Sequence, residues 1–244
     1  MSLILDQISV TADNKKILDN ISLTLEPGEL HILTGPNGSG KSTLAQLIAG
    51  LCPLEITAKS LSLMGQDLQS LSISERAKLG IFFAFQQPIV LPGLKVAYFL
   101  KETLALHRQA PIDYTTFLKT LDEHLIALGL DLSFKARDLN LDASGGEKKR
   151  LELLQMLILQ PQCIILDETD SGLDLDALQR IQEIILKMRD GTRMFLVITH
   201  NPDFAQSLKP ERVGVLLQGQ LKAYGDAKLL TQLKAKGFAP WGAE

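Results

Sequence analysis

Cysteine is scarce: Cys52 and Cys163 are the only two in 244 residues. They lie far apart, match no metal-ligand spacing, and offer neither a zinc site nor a cluster site. Cys163 falls in an apolar run and reads as a core residue. So few thiols suit a reducing, cytoplasmic compartment. No apolar run approaches the roughly 18 residues of a membrane span, so membrane insertion is not expected. The opening Met1-Ser2-Leu3-Ile4-Leu5-Asp6 has no charged leader and no long apolar stretch, and is not expected to be a signal peptide. Long basic runs are missing too, the longest being Lys148-Lys149-Arg150. With 25 basic and 28 acidic residues the net charge is −3, which argues against a nucleic-acid or anionic-membrane binder. No Phe, Tyr or Trp precedes Phe82.

What the chain does contain is Gly35-Pro36-Asn37-Gly38-Ser39-Gly40-Lys41-Ser42-Thr43, the G-x4-G-K-S pattern of a phosphate-binding loop. Leu30 to Leu33 before it reads as a buried strand, and Leu44 to Ala49 after it as a helix that stops at Gly50. This is the strand–loop–helix context the motif needs. Glycines let the backbone approach phosphates closely, so that its N–H groups and the helix N-terminus face the anion. Lys41 would reach the β- and γ-phosphates, Ser42 would ligate Mg²⁺, and Thr43 would add a phosphate contact.

Along the rest of the chain, Ile21, Leu23 and Leu25 alternate with polar residues as a half-buried strand, and Pro27-Gly28-Glu29 turns the backbone. Ser60–Met64 reads as a short strand, Ser74 to Gly80 as a short helix, and Ile81–Phe85 as an apolar strand. Pro92-Gly93 marks a loop. From Leu94 to about Leu128 the pattern is helical, broken at Pro111, with Asp113 as N-cap and Gly129 at the C-terminus. A third helix runs from Ser144 to Gln160, before Pro161. Strands follow at Cys163–Leu166, Met194–Thr199, Val213–Leu217 and Leu221–Tyr224. A helix capped by Asp174 reaches about Arg189, another runs from Asp226 to about Gly237, and the tail from Phe238 to Trp241 reads as irregular. Strands alternating with helices imply an α/β fold with a mainly parallel sheet.

Two further motifs carry chemistry. Four apolar residues followed by Asp167-Glu168 form a Walker B pattern: Asp167 would hold Mg²⁺ through water and Glu168 would act as general base. Ser144-Gly145-Gly146-Glu147 is a capping box whose glycines also make an anion site at a helix start. It lies on the helical stretch, away from the chain's own phosphate loop, and so is expected to meet the γ-phosphate bound by a second copy.

Together with Gln86, Ser171-Gly172-Leu173-Asp174 and His200, these motifs resemble the ABC-type ATPase family over nearly the whole chain and in the family's order. The resemblance implies a single ABC-type P-loop domain over 1–244. It would comprise a nucleotide-binding core (1–86 and 161–244) with an antiparallel N-terminal β part, and an inserted helical subdomain at about 87–160. It makes Gln86 the Q-loop residue that senses Mg²⁺, Ser171–Asp174 the D-loop, and His200 the switch contacting the γ-phosphate. His31, His107 and His124 are expected to be structural.

The strings Ser144–Arg150, Leu166–Leu178, Phe83–Pro88 and Leu91–Gly93 are similar to the soluble branch of the family that serves SUF-type iron–sulfur cluster assembly. That branch implies SufB- and SufD-like scaffold partners docking near residues 86–100, a transient ATP-driven head-to-tail homodimer, and no cluster on this chain itself. The alternatives are the ATPase subunit of an ABC membrane transporter and a nucleotide-gated scaffold without turnover. Intact Glu168 and His200 argue against the last.

Two departures stand out. Ala143 replaces a bulkier apolar residue before the signature, and the N-terminal ring that commonly stacks on adenine is missing, so weak discrimination between ATP and GTP is expected. Lys148 and Lys149 have two readings. One is a solvated basic face; the other is a latch in which they pair with Glu168 or a D-loop carboxylate.

Overall fold

The computed structural model describes residues 2–242. The chain opens with two long antiparallel strands, β1 (Leu3–Ala12) and β2 (Lys15–Leu25), followed by β3 (Leu30–Thr34) and, after the glycine loop, α1 (Lys41–Ala49). Three short strands come next, β4 (Glu55–Thr57), β5 (Ser60–Leu63) and β6 (Gln66–Asp67), then α2 (Ile73–Lys78) and β7 (Ile81–Ala84). The helical part holds β8 (Leu91–Lys95), α3 (Val96–Arg108), α4 (Tyr114–Ala127), β9 (Asp138–Leu139) and α5 (Gly145–Leu159). The chain continues with β10 (Cys163–Asp167), α6 (Leu175–Met188), β11 (Met194–Ile198), α7 (Pro202–Ser207), β12 (Arg212–Leu217), β13 (Gln220–Gly225) and α8 (Lys228–Lys236).

The strands form two principal sheets. One is antiparallel, in the order β2-β1-β5-β6 with β4 beside β1. The other runs β13-β12-β3-β11-β10-β7 and is parallel except for β12–β13. In β3, β10 and β11 all five residues are buried. Strands buried at every residue need cover on both faces of the sheet. Ile164, Leu166, Phe195 and Val197 pack toward the helical side with α5 and α6. Ile165, Leu196, Ile198 and Leu33 pack on the other side with α1 and the antiparallel sheet.

The parallel arrangement places the site. Because β3, β11, β10 and β7 run side by side in one direction, the segments leaving their C-terminal ends emerge along one edge. These are the glycine loop at 35–40, Thr199-His200, Glu168–Asp174 and Phe85-Gln86.

The structure corrects several local expectations. Strand β1 was not foreseen. Its buried residues are Leu3 and Leu5, then Ile8 and Val10, so the alternation slips by one at Asp6-Gln7. A bulge absorbs the slip: Leu5 pairs with Leu23 but Ile8 with Ile21, and Gln7 takes φ 54 while its N–H donates to Ser22 Oγ. The expected loop at Pro92-Gly93 lies inside β8, where Gly93 N–H donates to Asp138 Oδ2 at 2.8 Å, and α3 starts at Val96 instead of Leu94. Helix α2 is capped by Ser72, not Ser74, because Ser72 and Glu75 form a capping box. Ala239–Trp241 forms one 3₁₀ turn where an irregular tail was expected.

His31 is buried between Glu29 (2.9 Å) and the Tyr224 hydroxyl (2.7 Å), and desolvation lowers its pKa. Cys163 is fully buried, which pushes its thiol up to about 12 and makes it inert.

Candidate active site

At Gly35 and Gly40 the glycine loop leaves no room for a side chain. A Cβ on Gly35 would stand 2.0 Å from the Leu216 carbonyl oxygen, and Gly40 takes φ 103 directly before α1. The Lys41 side chain folds back over the loop, its Nζ donating to Gly35 O and Pro36 O, both at 2.9 Å. It is almost wholly buried; desolvation lowers its pKa, against the pull of Glu168 and Asp167.

Asp167, the last residue of β10, is 2 % exposed and its Oδ1 has no partner among the described residues. Burial raises its pKa, while the neighbouring Ser42 hydroxyl and the Lys41 charge oppose the rise. An orphaned buried carboxylate oxygen beside a serine hydroxyl fits a hard cation such as Mg²⁺. Among the described residues no cluster of three or more His, Cys, Asp or Glu could hold a metal alone. A cation taking most of its ligands from water and phosphate needs none.

Glu168 takes φ 51, an uncommon conformation for a residue with a side chain. Its carboxylate is gripped on both sides: Gln86 Nε2 donates to Oε2 at 2.8 Å, and His200 Nε2 lies 2.7 Å from Oε1. Its carbonyl accepts from Lys149 Nζ at 2.9 Å. Three loops from three strands thus converge on one carboxylate.

The Ser144-Gly145-Gly146-Glu147 capping box is present, with Glu147 Oε2 accepting the Ser144 N–H at 2.8 Å and Ser144 Oγ accepting the Glu147 N–H at 3.3 Å. No hydrogen bond joins Ser144, Gly145 or Gly146 to residues 35–43 among the described residues. In the D-loop, Asp174 caps α6 through Ala177 N–H, Gly172 takes φ 69, and Leu173 lies 3.5 Å from where a Gly146 Cβ would be.

Lys149 matches neither reading of the basic pair. It is buried, and its ammonium donates to the carbonyls of Glu168 and Ser171 and to Ser171 Oγ. It therefore binds the D-loop backbone, not a carboxylate. Lys148 is half-buried.

Two contributors were not foreseen. Thr199 Oγ1 donates to Asp170 Oδ2 at 2.7 Å, tying the residue before His200 to the one that precedes the D-loop. Glu152, a lone charge in the Leu151–Leu154 apolar run, accepts the Phe85 N–H at 3.0 Å. Its position three residues after Lys149, on the same face of α5, was the available signal.

This fold and site define a P-loop nucleotide triphosphatase. The ABC transporter family model matches residues 18–171. The chain is 40% identical over 235 residues to an Escherichia coli (strain K12) protein named "Probable ATP-dependent transporter SufC", covering 95% of each. It is 39% identical over 234 residues to the Plasmodium berghei (strain Anka) iron–sulfur cluster assembly protein SufC, covering 94% of this chain and 64% of that one. A dimeric ATP-binding cassette solved with ADP and Pi superposes with a TM-score of 0.81 at 23% identity, over 93% of this chain and 99% of that chain, which is a likeness of fold. The chain belongs to the ABC transporter family and is an ATPase. No helix among its described residues is long and apolar enough to cross a membrane.

Proposed function

We propose that the chain is the ATP-hydrolysing subunit of an iron–sulfur cluster assembly complex, working with SufB- and SufD-like scaffolds in the cytoplasm. The observation that carries this reading is the 40% identity to SufC across 95% of both chains. The local chemistry is compatible with it. Residues Gly35–Thr43 bind the phosphates, with Lys41 swinging from its own loop carbonyls to the β- and γ-phosphates. Ser42, Asp167 and Gln86 would hold Mg²⁺, which neutralises charge on the phosphates when bound. Glu168 polarises the attacking water, held in place by Gln86 and His200, and His200 contacts the γ-phosphate.

The signature Ser144–Glu147 serves the nucleotide of a second copy in an ATP-dependent head-to-tail dimer. Supporting this, a Cβ on Gly145 would meet nothing within 4 Å, so packing inside the chain does not account for the glycine. A related dimeric cassette shows that this fold can pair. Ser171–Asp174 lies against the same face.

The scaffold is proposed to dock at 86–100 and the adjoining cleft. An apolar cavity of about 380 Å³ there is lined by Phe82, Phe83, Phe85 and Phe99, with Ile73 and Leu106 at 52% and 68% exposure. Apolar surface of this kind marks a partner site. Affinity purification of the tagged chain without detergent tests the reading. Soluble partners carrying an iron–sulfur chromophore support it. A multi-span permease recovered only from membranes would replace it with the transporter role, leaving the ATPase chemistry in place.

A further inference from the structure

Glu152 is 4 % exposed, yet it forms no ion pair among the described residues. Its Oε1 accepts the backbone N–H of Phe85 at 3.0 Å and its Oε2 has no partner among the described residues. Burying a carboxylate with a single hydrogen bond is unfavourable, and an apolar side chain would serve packing better. The contact falls immediately before Gln86, whose amide holds Glu168 at 2.8 Å. Three residues earlier on α5, Lys149 holds the Glu168 carbonyl and Ser171. One face of one helix therefore grips the loops on both sides of Glu168.

We propose that Glu152 is a positioning residue for ATP hydrolysis, fixing the backbone at Phe85 so that Gln86 keeps its hold on the Glu168 carboxylate. Because α5 begins at the Ser144 signature, any displacement of that helix moves Phe85 and the D-loop together. Glu152 acts through Gln86, so the inference rests on the role assigned to Gln86 above.

The test is a set of full-length variants: Glu152→Leu, Glu152→Gln, Gln86→Ala, and the double Glu152→Leu/Gln86→Ala. Glu152→Leu removes the acceptor and is expected to lower kcat about tenfold while KM for ATP stays within about twofold, the signature of a lost transition-state arrangement. Glu152→Gln keeps an acceptor oxygen and is expected to retain at least about a third of kcat. Hydrogen exchange at the Phe85 and Gln86 amides should accelerate in Glu152→Leu and not in Glu152→Gln. In the Gln86→Ala background the Leu substitution should add little, since coupled residues are non-additive.

Wild-type kcat in Glu152→Leu, or a loss that is fully additive with Gln86→Ala, would overturn the proposal. If Glu152→Leu does not fold, Glu152→Gln decides: a tenfold fall in kcat with the Phe85 amide still protected would reject the acceptor role. Wild-type turnover in Gln86→Ala alone would reject the role of Gln86, while the exchange data would still report whether Glu152 fixes Phe85.

Discussion

His200 Nε2 lies 2.7 Å from Glu168 Oε1, so a residue two positions beyond one parallel strand and the residue directly following its neighbour share one contact. The opposite oxygen of Glu168 is held by Gln86. As the proposed general base, Glu168 would act on a water only where its two partners allow. Glu168→Gln is therefore expected to lower kcat by roughly 10²–10⁴-fold. Its nucleotide affinity should change little, because Lys41 and the glycine loop are untouched. Single-turnover hydrolysis and equilibrium binding of labelled ATP measure the two separately. Undiminished turnover would remove Glu168 from the mechanism.

Lys149 and Lys148 are neighbours in sequence with different surroundings. Lys149 makes three hydrogen bonds to Glu168 and Ser171, whereas Lys148 is only half-buried. Lys149→Ala strands the Ser171 hydroxyl and two carbonyls, and the D-loop loses its tether to α5. A stability loss of about 2 kcal/mol is expected, against less than about 0.5 kcal/mol for Lys148→Ala. Denaturant unfolding of both variants gives the comparison. Since Lys149 binds carbonyls and not the Glu168 carboxylate, its removal is not expected to raise basal hydrolysis. A rise would restore the latch.

Much of the site was legible because its residues are short-range and type-specific. The glycine loop, Asp167-Glu168 and the Ser144–Glu147 box each announce their local geometry within a few residues, and the apolar strands before the first two fix where they emerge. Strand β1 was illegible for an equally local reason: the bulge at Gln7 shifts the alternation by one, and period-two patterning cannot see through it. The short β8–β9 pair depends on contacts between residues 91–95 and 138–139, over forty residues apart in sequence. Glu152, in an apolar run, and Asp170, in a polar loop, were missed because each gains meaning only from what folds against it. Here that is the Phe85 N–H for one and the Thr199 hydroxyl for the other.

Nucleotide choice follows from an absence that the sequence does show. With no Phe, Tyr or Trp before Phe82, the N-terminal part supplies no ring to stack on the base. The loss of one stacking contact is about 1.4 kcal/mol, or about tenfold. GTP is therefore expected to compete with ATP within about tenfold in a displacement titration. A preference for ATP much beyond that would require a base contact elsewhere in the fold.

Glu152 also makes stability depend on pH, with a sign opposite to that of most carboxylates. Burial raises its pKa to about 7 from an ordinary value of 4.5, the Phe85 N–H and Lys149 only partly opposing the shift. In the unfolded chain the group releases its proton near 4.5; in the native protein it keeps it to about 7. Between those values the native state binds more protons, so stability falls as pH rises. The contribution is fully present below 4.5 and lost on passing 7. A shift of that size corresponds to at most about 3 kcal/mol. Glu152→Gln cannot ionise, so its advantage over the wild type should be near zero at about pH 4.5 and greatest above about pH 7. Denaturant midpoints for both proteins at pH 5 and pH 8 measure this. Parallel profiles would show that Glu152 stays ionised in the native protein, and its buried charge would then need a partner beyond Phe85.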